Sequence, residues 1–275
     1  MATVEDKAGK EFWNEQWSGN LVPDAADPSK SGLGNLFTKR MDRLFSDIFR
    51  DQETEGKLFL ELGCGSSIWL PYFAKRFGFE VSGIDYSPAG VDKERAILKK
   101  AGVDGDIIQA DFFDPPNELL EKFDAVYSYG VAEHFVPTER AISAFASFLR
   151  PGGVMITIVP NMTGSVGFLQ RIADRQVYDI HVPLTSSRLA EAHRSAGLLI
   201  DESLYFPSSG YGVVNAASAP GGLRRSVFEH VVRNLGRISA GVWYIENKSF
   251  ELPRTRFFSP YVACIARKPF DASVY

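Results

Sequence analysis

Five short apolar runs, KLFLELG, FEVSGID, DIIQAD, FDAVYS and VMITIVP, recur between residues 57 and 160, with helix-length segments between most of them. Strands this short and this continuously apolar are buried on both faces. The chain must therefore layer helices on both sides of a largely parallel sheet. The segments IWLPYFAKRF, PAGVDKERAILKKAG and PTERAISAFASFLR suit that cover.

After Pro160 the alternation loosens. SSRLAEAHRSAG reads as a further helix, LLIDESLYF as a strand and SPYVACIARKP as a last strand. Residues 207–257 stand before that last strand, a connection of about 50 residues, too long for a plain loop. Within it Val227, Phe228, Val231, Leu235 and Ile238 form an apolar stripe at helical spacing. Ahead of the first strand, Leu33, Leu36, Phe37, Met41, Leu44, Phe45 and Ile48 make another, and Phe12, Trp13 and Trp17 mark an earlier helix.

A length of 275 residues fits one enlarged domain better than two average ones. Its parts are a helical N-terminal cover over 1–56, a core over 57–206 and 258–268, and an insertion over 207–257. The net charge of −4 gives no global electrostatic reason to bind nucleic acid or anionic membrane. Two cysteines, Cys64 and Cys264, make neither a disulfide framework nor a zinc pattern. The opening residues lack an apolar core of signal-peptide length, and no apolar run approaches ~20 residues. A cytoplasmic protein acting on a small molecule is expected; the sequence does not set its oligomeric state.

The first strand ends in ELGCGSS. Gly63 and Gly65 at a strand-to-helix turn let the backbone approach a ligand, and the helix N-terminus offers free N–H groups. The third glycine of a nicotinamide-binding fingerprint is absent, since Ile68 stands there. Asp85 ends the second strand, where a carboxylate accepts hydrogen bonds from ribose hydroxyls. Asp111 ends the third, placed for an adenine amino group, with Phe112 to flank the ring. In a doubly wound sheet ligands bind at this carboxyl edge, where the strand order reverses.

As a set, ELGCGSS, GIDYS, QADFFD, FDAVYSYGVAEHF and LRPGGVMITIVPN resemble the class I S-adenosylmethionine-dependent methyltransferases, in that family's order and spacing. The resemblance covers residues 57–206 and the final strand. It implies an α/β, Rossmann-like, doubly wound seven-stranded sheet with an antiparallel last strand. It also implies methyl transfer from S-adenosylmethionine, leaving S-adenosylhomocysteine. Carried over by position, Glu61, Gly63, Cys64 and Gly65 line the methionine part of the donor. Asp85 and Tyr86 meet the ribose, Asp111 and Phe112 the adenine, and Ser128 and Tyr129 lie near the reacting methyl. Ser66 or Ser67 stands where many members carry another glycine, which alters the turn without abolishing binding. The alternatives are a non-catalytic donor-binding partner and a nucleotide-dependent oxidoreductase, the latter disfavoured by Ile68.

YGVAEHF, beyond the fourth strand, sets Glu133 beside His134 near that methyl. Methyl transfer is an in-line displacement that needs acceptor, methyl and sulfur aligned. A hydroxyl acceptor gains from a base, whereas an amine needs only positioning; oxygen is slightly favoured. His134 is the expected catalytic residue, with Glu133 holding the loop. The pair also resembles part of the metal site of some O-methyltransferases, E-x-x-E-H with a downstream histidine, a place His181 occupies. Gly130 replaces the first glutamate of that pattern, so a resident divalent metal is not expected.

Members of this family shape the acceptor pocket with segments before the first strand and around the last ones. Trp13, His181 and Trp243 are accordingly the expected acceptor contacts. Residues 221–257 hold Arg224, Arg225, Arg233, Arg237, Lys248, Arg254 and Arg256 against Glu229, Glu246 and Glu251. They also hold Phe228, Trp243, Tyr244, Phe250 and Phe257. A basic, aromatic insertion over an acidic body suggests an apolar or aromatic acceptor with an anionic group.

Overall fold

The structure, a computed structural model, describes residues 3–215, 223–246 and 250–270. Lys248 and the side chains of Arg224 and Arg225 lie outside what it describes. The chain opens with a two-residue strand β1 (Glu5–Asp6) and helices α1 (Lys10–Trp17) and α2 (Leu36–Ile48). The alternating part follows as β2 (Leu58–Leu62), α3 (Leu70–Phe77), β3 (Glu80–Asp85), α4 (Pro88–Ala101), β4 (Gly105–Gln109) and β5 (Phe123–Tyr129). Next come β6 (Phe135–Val136), α5 (Thr138–Ser147), β7 (Leu149–Pro160), α6 (Ser165–Ala173) and α7 (Arg175–Asp179). The chain continues through α8 (Ser186–Ser195), β8 (Leu199–Phe206), α9 (Leu223–Glu246) and β9 (Tyr261–Arg267).

Seven strands pair in the order β4-β3-β2-β5-β7-β9-β8. The pairs from β4 to β7 are parallel, and β9 runs antiparallel to both β7 and β8. This is the doubly wound α/β sheet with an antiparallel last strand. The order reverses between β2 and β5, so their carboxyl ends flank a crevice. The expected insertion lies between β8 and β9, and its helix α9 reaches eight residues beyond the predicted stripe, to Glu246.

Two departures have local causes. PGG does not precede the strand but lies inside it, because the β5–β7 register shifts between Phe123 and Ala125 and absorbs Arg150–Gly153 as an irregularity. Gly152 there takes φ +79°, a conformation that favours glycine. The ribbon of β1 with β6 was not legible either, being only two residues per strand.

Helix α2 buries Leu36, Met41, Leu44 and Phe45, as its stripe requires. Phe45 packs on Trp69, Tyr72, Phe73 and Tyr127 at ring distances of 4.7–5.9 Å. The same helix buries Arg40, paired with Glu246 of α9 at 2.8 Å. Removing either partner would strand a buried charge. On the opposite sheet face Leu60, Leu62 and Val126 pack with Ile142 and Phe145 of α5 and Leu189 of α8. Among the described residues no helix is long and apolar enough to cross a membrane.

Candidate functional site

Turns at the ends of β2, β3 and β5 converge at the crevice. Gly63 takes φ +66°, and a Cβ there would stand 2.6 Å from Val131 Cγ2, so a side chain would push the β2 and β5 loops apart. The Gly63 and Cys64 N–H groups donate to the Ile84 carbonyl at 2.8 and 3.2 Å, stitching the turn to β3. Asp85 accepts from Gly65 N–H and from Ser87 N–H, each at 2.8 Å. Burial pushes its carboxyl up while these two N–H groups pull it down. Helix α4 starts two residues past Asp85's neighbour Tyr86, with Pro88 in its first turn and the Ser87 hydroxyl capping Gly90 N–H.

A cavity of about 430 Å³ fills the crevice. Of the expected cofactor residues, Glu61, Gly63, Cys64, Asp85, Tyr86, Phe112 and Tyr129 line it. Gly65 lies behind Trp17, whose Nε1 stands 2.7 Å from where a Gly65 Cβ would be. Two expected residues face elsewhere. Ser128 is buried, does not line the cavity, and its hydroxyl has no hydrogen-bond partner among the described residues. Side chains alternate along β5, so with Tyr129 facing the crevice Ser128 cannot. Asp111 is exposed and caps the turn, accepting from Phe113 N–H at 2.9 Å, because β4 already ends at Gln109. The Cys64 thiol is raised well above its ordinary value, by burial and then by Asp85, Glu94 and Glu61, so it forms wall rather than thiolate.

The N-terminal segment straps across this cavity. Lys7 N–H donates to the His134 carbonyl at 2.9 Å, the Tyr86 hydroxyl to Asp6 at 2.8 Å, and the Ser87 hydroxyl to Asn14 at 2.7 Å. Trp13 stacks on Trp17 at 5.6 Å and meets the His134 ring edge-on at 5.1 Å.

A second cavity of about 260 Å³ adjoins the first and shares Trp13, Trp17, Tyr129, Gly130 and His134 with it. Its remaining wall includes Met162, Val177, Ile180, Val213 and Tyr261, with Glu133 and His181. Among the described residues neither cavity is lined by a lysine or arginine. Of the described cations of the insertion, Arg254 pairs with Glu251 and Arg256 donates to Thr163. Trp243 lines neither cavity; its Nε1 donates to the Ser209 carbonyl at 3.0 Å and its ring backs Phe37, which lines the first.

The polar end of the second cavity is unusual in its protonation. His134 Nδ1 lies 3.0 Å from the Ile180 carbonyl and His181 Nδ1 lies 2.6 Å from the Val177 carbonyl. A carbonyl only accepts, so both hydrogens sit on Nδ1 and both Nε2 atoms present lone pairs. Glu133 is buried and neither carboxyl oxygen has a hydrogen-bond partner among the described residues. Its Oε1 is 3.7 Å from His134 Nε2, and one ligand atom from each of Glu133, His134 and His181 falls within 4.8 Å of the others. Burial, and then His181, pulls His134 down to about 3, and burial pushes Glu133 up to about 8. His181 is lowered too, first by burial.

Sequence reasoning placed Trp13, His134 and His181 in one neighbourhood, and the structure brings them together. It did not find Tyr261, Val131 or Val213 as wall residues; these are ordinary apolar positions in strand or loop, without a signal of their own.

The sheet order and a cavity over a glycine turn define an α/β fold with an open crevice at its switch point. Residues 59–153 match the methyltransferase domain family. Solved structures of similar fold include an S-adenosylmethionine-dependent methyltransferase from Archaeoglobus fulgidus. A ubiquinone biosynthesis O-methyltransferase of Brucella anthropi is 30% identical over 154 residues, 56% of this chain and 60% of that one. The chain spans about three fifths of the length of the curated relatives it matches. A Galdieria sulphuraria protein assigned as a sarcosine dimethylglycine methyltransferase superposes with a TM-score of 0.60 at 17% identity, over 96% of this chain and 99% of that one. Geranyl diphosphate C-methyltransferase from Streptomyces coelicolor, solved with S-adenosylhomocysteine, gives 0.56 at 15%, over 94% and 96%. At these identities the structural likeness bears on the fold alone.

Proposed function

We propose that the protein transfers the methyl group of S-adenosylmethionine to an oxygen of a small, uncharged molecule held in the second cavity. The observation that carries this is the shared wall: a donor in the first cavity and an acceptor in the second meet across Trp13, Tyr129 and His134. The expectation of an anionic acceptor is set aside, because no described cation lines either cavity. The polar groups there, two Nε2 lone pairs and a carboxyl, suit an acceptor that donates O–H hydrogen bonds. The name of the Brucella anthropi relative supports oxygen over nitrogen.

In this reading His134 Nε2 takes the hydrogen bond of the acceptor hydroxyl and then its proton as the methyl moves. Burial opposes charge on His134 and on the Glu133 carboxyl 3.7 Å from its Nε2, so both groups face the acceptor hydroxyl uncharged. The same residues favour a second reading. Two imidazoles anchored through Nδ1 to backbone carbonyls, with an unpartnered buried carboxyl, fit a divalent cation held by Glu133, His134 and His181. Such an ion would lower the pKa of a bound hydroxyl.

The test is turnover with methyl-labelled S-adenosylmethionine and a panel of neutral phenols, matched anilines and carboxylated analogues. Label on the oxygen of neutral acceptors is expected. Donor binding without transfer to any acceptor would instead favour a regulatory partner. Chelation separates the two readings of the acid–base groups: activity lost and restored by one divalent ion assigns the metal, and unchanged activity assigns His134 acting alone.

A further inference from the structure

A buried acid on α4 that no motif announces lies directly behind the cofactor turn. Glu94 is fully buried, and its Oε2 accepts from Ser67 N–H at 2.8 Å. Ser67 belongs to the part of the turn where the sequence departs from the glycine-rich pattern. Its hydroxyl accepts from Trp69 N–H at 3.1 Å, and Ser67 lines the cavity together with Glu61. Glu94 Oε1 and Glu61 Oε2 are both buried without a hydrogen-bond partner among the described residues. Two buried acids therefore stand at this turn, Glu61 at the cavity wall and Glu94 behind it on Ser67 N–H.

Among the described residues no counter-ion offsets them. The other titratable groups facing Glu94 are Glu61 and Asp85, with the Cys64 thiol in the same cluster. The charged residues of the helices packed alongside, Lys10, Glu11 and Glu15 of α1 and Lys75 and Arg76 of α3, are exposed. On α4 itself Lys93 reaches back to the Gly19 and Leu21 carbonyls and Arg95 to the Ile107 carbonyl. Burial, and then Glu61, pushes Glu94 up to about 10, while burial pushes Glu61 up to about 8. In the free protein near neutral pH both therefore hold their protons.

We propose that Glu94 is a positioning residue that makes the site choose by charge, favouring the cationic sulfonium of the donor over the neutral thioether of the product. This rests on the reading that the first cavity binds S-adenosylmethionine. The sulfonium brings one positive charge that the product lacks. Its field favours the ionised form of the Glu61–Glu94 pair, and a proton leaves that pair for solvent as the donor binds. Once the methyl is gone the charge is gone, the pair takes a proton back, and the product is held less tightly.

The experiment is calorimetry of S-adenosylmethionine and S-adenosylhomocysteine binding to the full chain in two buffers of different ionisation enthalpy. Wild type should release up to about one proton with the donor and clearly fewer with the product. Glu94→Gln keeps an oxygen for Ser67 N–H but removes the ionisable group. It should weaken the donor by about five- to tenfold and the product by less than about twofold. Equal weakening of both ligands, or equal proton release by both in wild type, overturns the proposal while leaving the cofactor assignment standing. Should the variant fail to fold, the wild-type proton counts decide. Wild type that binds neither ligand overturns both.

Discussion

The two cavities at the carboxyl edge of the sheet are built differently. The first is made by turns directly following β2 and β3, and its chemistry is carried by backbone: Gly63 against Val131, Gly65 N–H on Asp85, and Cys64 N–H on the Ile84 carbonyl. The second is assembled from positions scattered from Trp13 to Tyr261, and its chemistry is carried by side chains. A backbone-built site tolerates few substitutions, because glycine turns and paired N–H groups leave no slack. A side-chain-built site can change its ligand by changing single residues while the fold stays the same. This contrast is the physical reason for assigning the constant partner, the cofactor, to the first cavity and the variable one, the acceptor, to the second.

The largest expected effect tests the backbone-built half. Asp85→Ala leaves the Gly65 and Ser87 N–H groups without their acceptor and removes a carboxylate from the wall of the first cavity. Donor affinity should fall by about 100-fold or more, read by calorimetry. A loss under about fivefold would mean that the turn does not depend on this carboxylate. His134→Ala tests the other half. It should lower kcat by about 100-fold while donor affinity stays within about threefold. Comparable losses in both would show that the two halves are not separable. Trp13 bounds both cavities, so Trp13→Ala should weaken donor binding and raise the acceptor KM together, each by about tenfold. An effect on only one would redraw the shared wall.

The smallest effect on activity comes from a histidine in neither cavity. His193 is fully buried, with Nδ1 on the Leu189 carbonyl at 2.8 Å and Nε2 on the Thr157 hydroxyl at 3.0 Å. Burial pulls it from 6.5 down to about 4. Between those two values the unfolded chain binds a proton that the folded chain refuses. Its contribution is therefore intact above about pH 6.5 and is lost as pH falls toward about 4. His134 and His181 act in the same direction. The melting temperature should drop over that window by an amount on the order of 5 °C from His193 alone. His193→Gln should flatten that part of the curve without changing turnover at neutral pH; an unchanged slope would remove His193 from the account.

Much of the first half was legible because it is local. Glycines at a strand end, an acid closing the next strand and apolar runs of fixed length each constrain the chain within a few residues. The seven strands follow from such signals, the antiparallel last one was implied by the family resemblance, and seven of the expected cofactor residues line the first cavity. Ser128 and Asp111 do not line that cavity for an equally local reason, since a one-residue change of phase turns a strand-end side chain away from the crevice.

The acid–base site shows where local reasoning stops. Glu133 and His134 are neighbours in sequence, but His181 joins them only because the His181 backbone follows α7 back over the β5 loop, where Val182 N–H donates to the Glu133 carbonyl at 2.7 Å. That the Glu133 carboxyl is without a hydrogen-bond partner among the described residues and that Arg256 reaches Thr163 depend on what distant parts of the chain bring alongside. Nothing in composition records them. The sheet and the glycine turn were legible in the sequence, because periodicity and backbone conformation are properties of short segments. Only the tertiary structure decided the charge and protonation of the acceptor cavity and the place of Glu94 behind the turn, because burial and pairing are set by what the rest of the chain brings alongside.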